Sequence, residues 1–146
     1  MSQSPKNLHP AVAKSLDFWH QMIAKRDLGE LHTIVHPDAV FRSPVAHTSY
    51  ASAQAVILAL SNVIQVFKNF TYHRQLATDD GLNVVLEFSA EVADKKLKGI
   101  DLIRFNEQGQ IVEFEVMLRP LSGLQALGEE MGRRVADKLP AYKVKG

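Results

Sequence analysis

The sequence predicts an α+β domain, and three observations predict it. Apolar residues recur at helical intervals in the first 67 positions, alternate singly through the middle of the chain, and return to helical spacing beyond residue 120. Helices and antiparallel strands segregated in this way indicate α+β rather than alternating βα units.

The first helix carries Val12, Leu16, Trp19 and Ile23 at intervals of four, three and four, which places them on one face. Pro10 suits its first position, where a missing N–H costs nothing, and the helix is expected to end near Asp27. A second, short helix is expected through Leu28, Leu31, Ile34 and Val35, stopped by Pro37. Residues 39–43 read as a short strand and 44–49 as a loop. Ser52 can cap a third helix bearing Val56, Leu60, Val63 and Phe67, ending near Asn69.

The period then changes. Residues 70–78 form a strand candidate, and Asp79-Asp80-Gly81 is a hairpin signal. In residues 82–93, Leu82, Val84, Leu86, Phe88, Ala90 and Val92 share one face, as a half-buried strand requires. Turns at 94–96 and 106–109 set off two further strands, 97–105 and 110–119. Leu124, Leu127, Met131 and Val135 form the stripe of a closing amphipathic helix. A curved meander wrapped over a long helix leaves a concave apolar space, the usual place for a small ligand.

At 146 residues the chain has the length of one domain, assigned to 8–139 with flexible ends at 1–7 and 140–146. Cysteine is absent, which excludes disulfide and thiolate chemistry. The 17 basic and 16 acidic side chains nearly balance without blocks of like charge, so neither a nucleic-acid nor a membrane-surface partner is expected. Lys95, Lys96 and Lys98 read as a solvated turn. No apolar run approaches the roughly 20 residues of a membrane span, and the first seven residues lack the apolar core of a signal peptide. The expectation is a cytoplasmic protein.

The run Ala39-Val40-Phe41-Arg42-Ser43-Pro44-Val45 resembles the first strand and following loop of ketosteroid isomerase. Residues 100–111, IDLIRFNEQGQI, resemble its late hairpin, and the SnoaL-like polyketide cyclases share the layout. The resemblance spans about Val12 to Leu118. It implies the cone of the nuclear transport factor 2-like fold: a curved antiparallel sheet wrapped over N-terminal helices, with a C-terminal helix. It also implies a cavity and a homodimer formed through the outer sheet face, with no cofactor.

Residue by residue, the resemblance leaves the isomerase site incomplete. Ser43 stands where the family has its general-base aspartate, and a lone serine hydroxyl is too weak a base for that role. Trp19 stands where the family has a tyrosine. Asp101 matches the family's protonated aspartate, whose neutral state in an apolar site is a known pattern. Steroid isomerisation by the family's own route is therefore not expected.

Asp101 shares a face with Ile103 and Phe105, so its carboxyl is protonated, partnered or at the mouth of a cavity. It reads either as an acid or base tuned by burial or as a structural carboxyl satisfied by a neighbour. Trp19 reads as core or as cavity lining that donates to a ligand or to Asp101. His36, beside Ser43, is a candidate base with Asp101; His47 is at the expected cavity mouth or in a solvated loop. His32 and His36 are four apart, but Pro37 follows and no third ligand is nearby, so no metal is assigned. Tyr50 and Tyr72 are candidate polar contacts, and Phe41, Phe67, Leu86, Phe88, Phe114, Val116 and Leu118 candidate walls. That lining suits a small apolar organic ligand, such as a steroid, terpenoid, polyketide or fatty-acyl fragment, better than a sugar or phosphate. Val85, Ile100, Leu102, Ile111 and Met117 are expected on the outer face among charged residues. Two functions follow: a cofactor-independent proton-transfer enzyme (isomerase, dehydratase, cyclase or epoxide hydrolase) acting through Asp101 with His36 or Ser43, or a non-catalytic ligand-binding or dimeric interaction module.

Overall fold

The computed structural model describes residues 5–144. Helix α1, Pro10–Lys25, is capped by His9, whose Nδ1 accepts from the Ala11 N–H at 3.3 Å. It buries Val12, Leu16, Trp19 and Met22. Arg26 ends it in the left-handed conformation (φ 53°). The Arg26 guanidinium donates to the carbonyls of Ile64 (2.7 Å) and Phe67 (3.0 Å). A cation at the C-terminal end of α2, Ala53–Val66, is favourable because the last carbonyls of a helix lack intrahelical donors.

Six strands follow the segregation read from the sequence: β1 Val35–Arg42, β2 Tyr50–Ala51, β3 Lys68–Ala77, β4 Asn83–Val92, β5 Lys95–Phe105 and β6 Ile111–Arg119. They form one curved, open sheet in the order β2-β1-β6-β5-β4-β3. The β3–β6 meander is antiparallel, as expected. β1 joins it parallel to β6, which makes the sheet mixed. Helix α3, Leu121–Val135, closes the chain over the concave side and buries Gly123, Leu127 and Val135. The alternation in β4 emerges as predicted: Val84, Leu86, Phe88, Ala90 and Val92 are all buried.

Several local expectations are corrected. The expected second helix is a single 3-10 turn, Leu31–Ile34, because β1 already begins at Val35 and runs through Pro37. The short strand β2, not expected from the sequence, follows the expected loop and pairs Tyr50 with Phe41 and Ala51 with Val40. α2 ends at Val66, so Phe67 is its cap and Asn69 lies in β3. Ile111 is fully buried rather than on the outer face, because a register shift between Arg104 and Phe105 breaks the alternation near the start of β6. Leu139–Tyr142 forms a 3-10 turn, Lys143 bridges Tyr50, and the Val144 N–H donates to the Ser49 carbonyl at 2.9 Å. The outermost residues, 1–4 and 145–146, lie outside the described residues, and so does that part of the flexible-end expectation.

On the outer face Glu87 is about a tenth exposed and held by Arg74 (2.6 Å) and Lys98 (3.0 Å). Arg74 chiefly, then Lys98, keeps its carboxyl well below the usual carboxylate range.

Gly99 has the tightest surroundings on the sheet. A Cβ there would collide with the Met117 carbonyl oxygen and with the Leu118 side chain, and would lie 2.8 Å from Phe88 Cζ. Overpacking of this kind typically costs about 1–3 kcal/mol. Gly99→Ala is therefore expected to lower the urea midpoint by an amount in that range, and an unchanged midpoint would show that β5 and β6 can separate freely here.

Candidate functional site

Three side chains from three elements meet on the concave face. Trp19 comes from α1, Tyr72 from β3 and Asp101 from β5. The register explains how Tyr72 reaches Asp101. Tyr72 pairs with Phe88 on β4, and Asp101 pairs with Leu86 on the same strand, two residues away on the same face. Two strand spacings are about 9.6 Å, a gap that a phenol and a carboxyl together can span. The Tyr72 hydroxyl donates to Asp101 Oδ2 at 2.6 Å, and the Trp19 indole N–H donates to Tyr72 Oη at 3.0 Å.

Burial sets the electrostatics. Asp101 is 5% exposed and its pKa is pushed up to about 7, by desolvation, with the Tyr72 hydrogen bond acting in the opposite direction. Tyr72 is raised well above its ordinary value, by burial first and then by the Asp101 charge. His20, the neighbour of Trp19 on α1, meets Tyr72 edge-on with ring centroids 5.1 Å apart. Burial lowers its pKa, and its Nε2 lies 3.0 Å from Gln75 Oε1.

Asp101 and Tyr72 open into a cavity of about 290 Å³. The sheet contributes Phe41, Phe114 and Val116; α1 contributes Trp19 and Ile23; α2 contributes Ala59, Leu60, Val63 and Ile64. Phe67 and Phe70 complete the floor. The α3 face carrying Leu127, Gly128, Met131 and Val135 forms a roof with Pro44, Val45 and the C-terminal residues Leu139, Pro140 and Lys143. Phe114 packs between Trp19 (centroids 5.3 Å) and Phe41 (6.4 Å), on β6 two residues from Val116, the cross-strand partner of Asp101.

The structure brings together part of the set selected from the sequence. Asp101, Trp19, Ser43, Phe41, Tyr50, Phe67, Tyr72, Phe114 and Val116 all line the cavity. Ser43 is half-buried, and its Oγ accepts from the Val45 N–H at 3.1 Å, which ties it into the turn. Leu86 and Phe88 do not line the cavity: they are fully buried beneath it, and Phe88 stacks on Phe70 at 4.8 Å. Leu118 lies instead by a shallow depression flanked by Arg74 and Lys98. His36 is away from the cavity, its Nδ1 accepting from the Asp38 N–H at 3.0 Å, because β1 starts before it and Pro37 leads the chain outward. His47 is exposed in the loop and does not line the cavity. Among the described residues, no three His, Asp or Glu side chains converge as a metal site would require.

Sequence reasoning missed the linkage between Tyr72 and its two partners. It read Trp19 as core or as a donor to Asp101 or a ligand, and the indole is buried and reaches Asp101 only through Tyr72. The inward parity of Tyr72 on the strand before the hairpin signal was available, but its partner depends on a register across β4. The wall residues from α3 and from 139–143 were not separable from ordinary core.

The geometry defines a cone with one ionisable carboxyl at the inner end of an apolar cavity, and comparison with known proteins agrees. Residues 16–114 match the SnoaL-like domain, and the chain belongs to that family. A structure described as a steroid delta-isomerase from Pseudomonas aeruginosa is 59% identical, over 91% of this chain and 97% of that one, with a TM-score of 0.87. An uncharacterised protein with a cystatin-like fold from Silicibacter pomeroyi is 30% identical, over 95% and 98% of the two chains, with a TM-score of 0.82. The epoxide hydrolase/cyclase-like enzyme SalBIII, of pyran ring formation in the polyether salinomycin, shares the fold at 14% identity, over 76% and 92% of the chains, with a TM-score of 0.59. A comparison with curated proteins gave no match. Among the described residues, no helix is long and apolar enough to cross a membrane.

The raised Asp101 pKa has a consequence for stability. The folded state holds this proton more tightly than the unfolded state, so stability is fullest below the ordinary carboxyl pKa of about 4 and declines as pH rises towards about 7. Asp101→Asn removes the charge. Its stability relative to wild type should therefore grow between about pH 4 and about pH 8, by about 2–4 kcal/mol. Urea unfolding at the two ends of this range reads it directly; a difference independent of pH would mean that the carboxyl is not neutralised by folding.

Proposed function

We propose that this protein binds a small, largely apolar organic molecule beneath α3 and that Asp101 handles its polar group, as acid or base in a cofactor-independent proton transfer. One observation carries the reading: a 5%-exposed carboxyl opens into a cavity of about 290 Å³ whose other walls are almost wholly apolar. A carboxyl poised at about 7 exchanges its proton readily near neutral pH. Isomerisation, dehydration, cyclisation and epoxide opening all need such a group. Family membership and the relatives described as a steroid delta-isomerase and an epoxide hydrolase/cyclase-like enzyme support this range. A steroid, terpenoid, polyketide or fatty-acyl fragment suits the lining.

A second reading, a binding module without turnover, draws on a specific observation. Ser43 is tied to the Val45 amide and His36 lies outside the cavity, so neither candidate helper stands beside Asp101. Native mass spectrometry of protein from its own host, followed by extraction, identifies any retained molecule and thus the class to assay. Asp101→Asn is then expected to keep binding but to lose turnover by about a hundredfold or more, the usual contribution of a positioned acid or base. Full turnover in the variant would defeat the catalytic reading; binding without turnover in either protein would favour the module.

The outer sheet face is proposed to meet a second copy of the chain. Leu76, Val85 and Leu102 form one cross-strand row and Ile100 with Met117 another, with Leu76 59% and Met117 43% exposed. Glu87 with Arg74 and Lys98 supplies charges of both signs beside them, which a self-complementary two-fold surface can pair. Sedimentation velocity should find a dimer that Leu102→Glu converts to monomer; a monomeric wild type would remove this proposal.

A further inference from the structure

We infer that Trp19 is a positioning residue: its indole N–H sets the direction of the Trp19–Tyr72–Asp101 chain and leaves Asp101 Oδ1 as the one polar atom of the three free to hydrogen-bond a ligand. The reasoning starts from donor inventories. An indole N–H only donates, so Tyr72 Oη must accept from it across the 3.0 Å contact. A phenol oxygen conjugated with its ring has one favourable in-plane acceptor direction, opposite its own O–H. With the indole in that place, Tyr72 can meet Asp101 Oδ2, 2.6 Å away, only with its hydrogen. Oδ2 is therefore the accepting oxygen in both protonation states, and the acid proton, when present, sits on Oδ1.

The ring has little freedom to escape this arrangement. Phe70 and His20 meet Tyr72 edge-on at 4.9 and 5.1 Å. Oδ1 has no hydrogen-bond partner among the described residues, no buried side-chain polar atom is left unsatisfied among them, and Asp101 lines the cavity. Oδ1 thus faces the ligand space. Tyr72, whose single proton is committed to Asp101, tunes the carboxyl and does not itself donate to a ligand. Without the indole, the Tyr72 oxygen could accept from a neutral Asp101 and turn its own O–H into the cavity, which would reverse the polarity of the site.

This deepens the ligand reading and rests on it only for what Oδ1 meets; the test is made on ligand-free protein, so either can fail alone. Trp19 is the sole tryptophan of the chain, so its indole N–H gives a unique NMR signal. Other titratable groups near the chain are His20 on α1 and, lining the cavity, Tyr50 and Lys143. His20 is separated by following its own ring signals and by His20→Gln, in which the indole titration should remain. We expect the indole signal to titrate with the same midpoint as the Asp101 carboxyl carbon, near 7. In Asp101→Asn that titration should vanish. In Tyr72→Phe the carboxyl should titrate at higher pH, with the indole signal flat. Trp19→Phe alone should also raise the Asp101 midpoint, but adding it to Tyr72→Phe should shift nothing further, because Trp19 acts only through Tyr72. An indole signal indifferent to Asp101 in wild type, a measurement that needs no variant, overturns the inference. So does a further shift in the double variant.

Discussion

The concave face of the sheet is the constraint on which the other features depend. Five of the ten β4 residues turn apolar side chains to that face, joined by Ile103 and Phe105 from β5 and Phe114 and Val116 from β6. Apolar surface of this extent must be covered, and three helices of 14 to 16 residues do the covering. α1 packs large side chains tightly against one part of the face. α3 crosses another part with glycines at 128 and 132: a Cβ added at Gly128 would lie 3.3 Å from Val45 Cγ1, and one added at Gly132 would have nothing within 4 Å. The cavity lies where curvature exceeds what these side chains can fill.

Two carboxyls on adjacent strands show how the faces of one sheet impose opposite chemistry. Glu87 on β4 and Asp101 on β5 are near neighbours, since Glu87 pairs with Ile100 and Asp101 with Leu86. Glu87 points outward to two cations, which favour its charged form. Asp101 points inward, where one hydroxyl only partly offsets the loss of water. The difference arises from strand parity alone, because successive side chains leave opposite faces.

Parity is also why much of the fold was legible in the sequence. The 3.6-residue stripes of α1, α2 and α3 and the alternation through β4 are local patterns, and each survives as an element with small changes at its ends. Asp101 stood out because a carboxyl among Ile103 and Phe105 breaks an apolar face. What was not legible depends on distant partners. Ile111 moved inward through a register shift, β1 gained residues 35–38, and Lys143 found Tyr50 across the length of the domain. His36 was read as facing the cavity beside Ser43, but of the two only Ser43 lines it. Trp19 drew attention by its position on a stripe, yet the hydroxyl between it and Asp101 belongs to a strand more than fifty residues later.

The parallel pairing of β1 with β6 bears on how the chain is made. Phe41 lies beside Phe114, and Arg42 beside Glu115, so the edge that carries β1 and β2 has no partner until the last strand exists. Closing so long a loop has an entropic cost that early local structure cannot offset. On a ribosome, α1, β1 and α2 emerge first and wait with their apolar faces uncovered while the meander is synthesised behind them. The N-terminal half is thus a dependant of the C-terminal half, and the cavity roofed by α3 does not exist in a nascent chain until residues beyond 119 have left the exit tunnel.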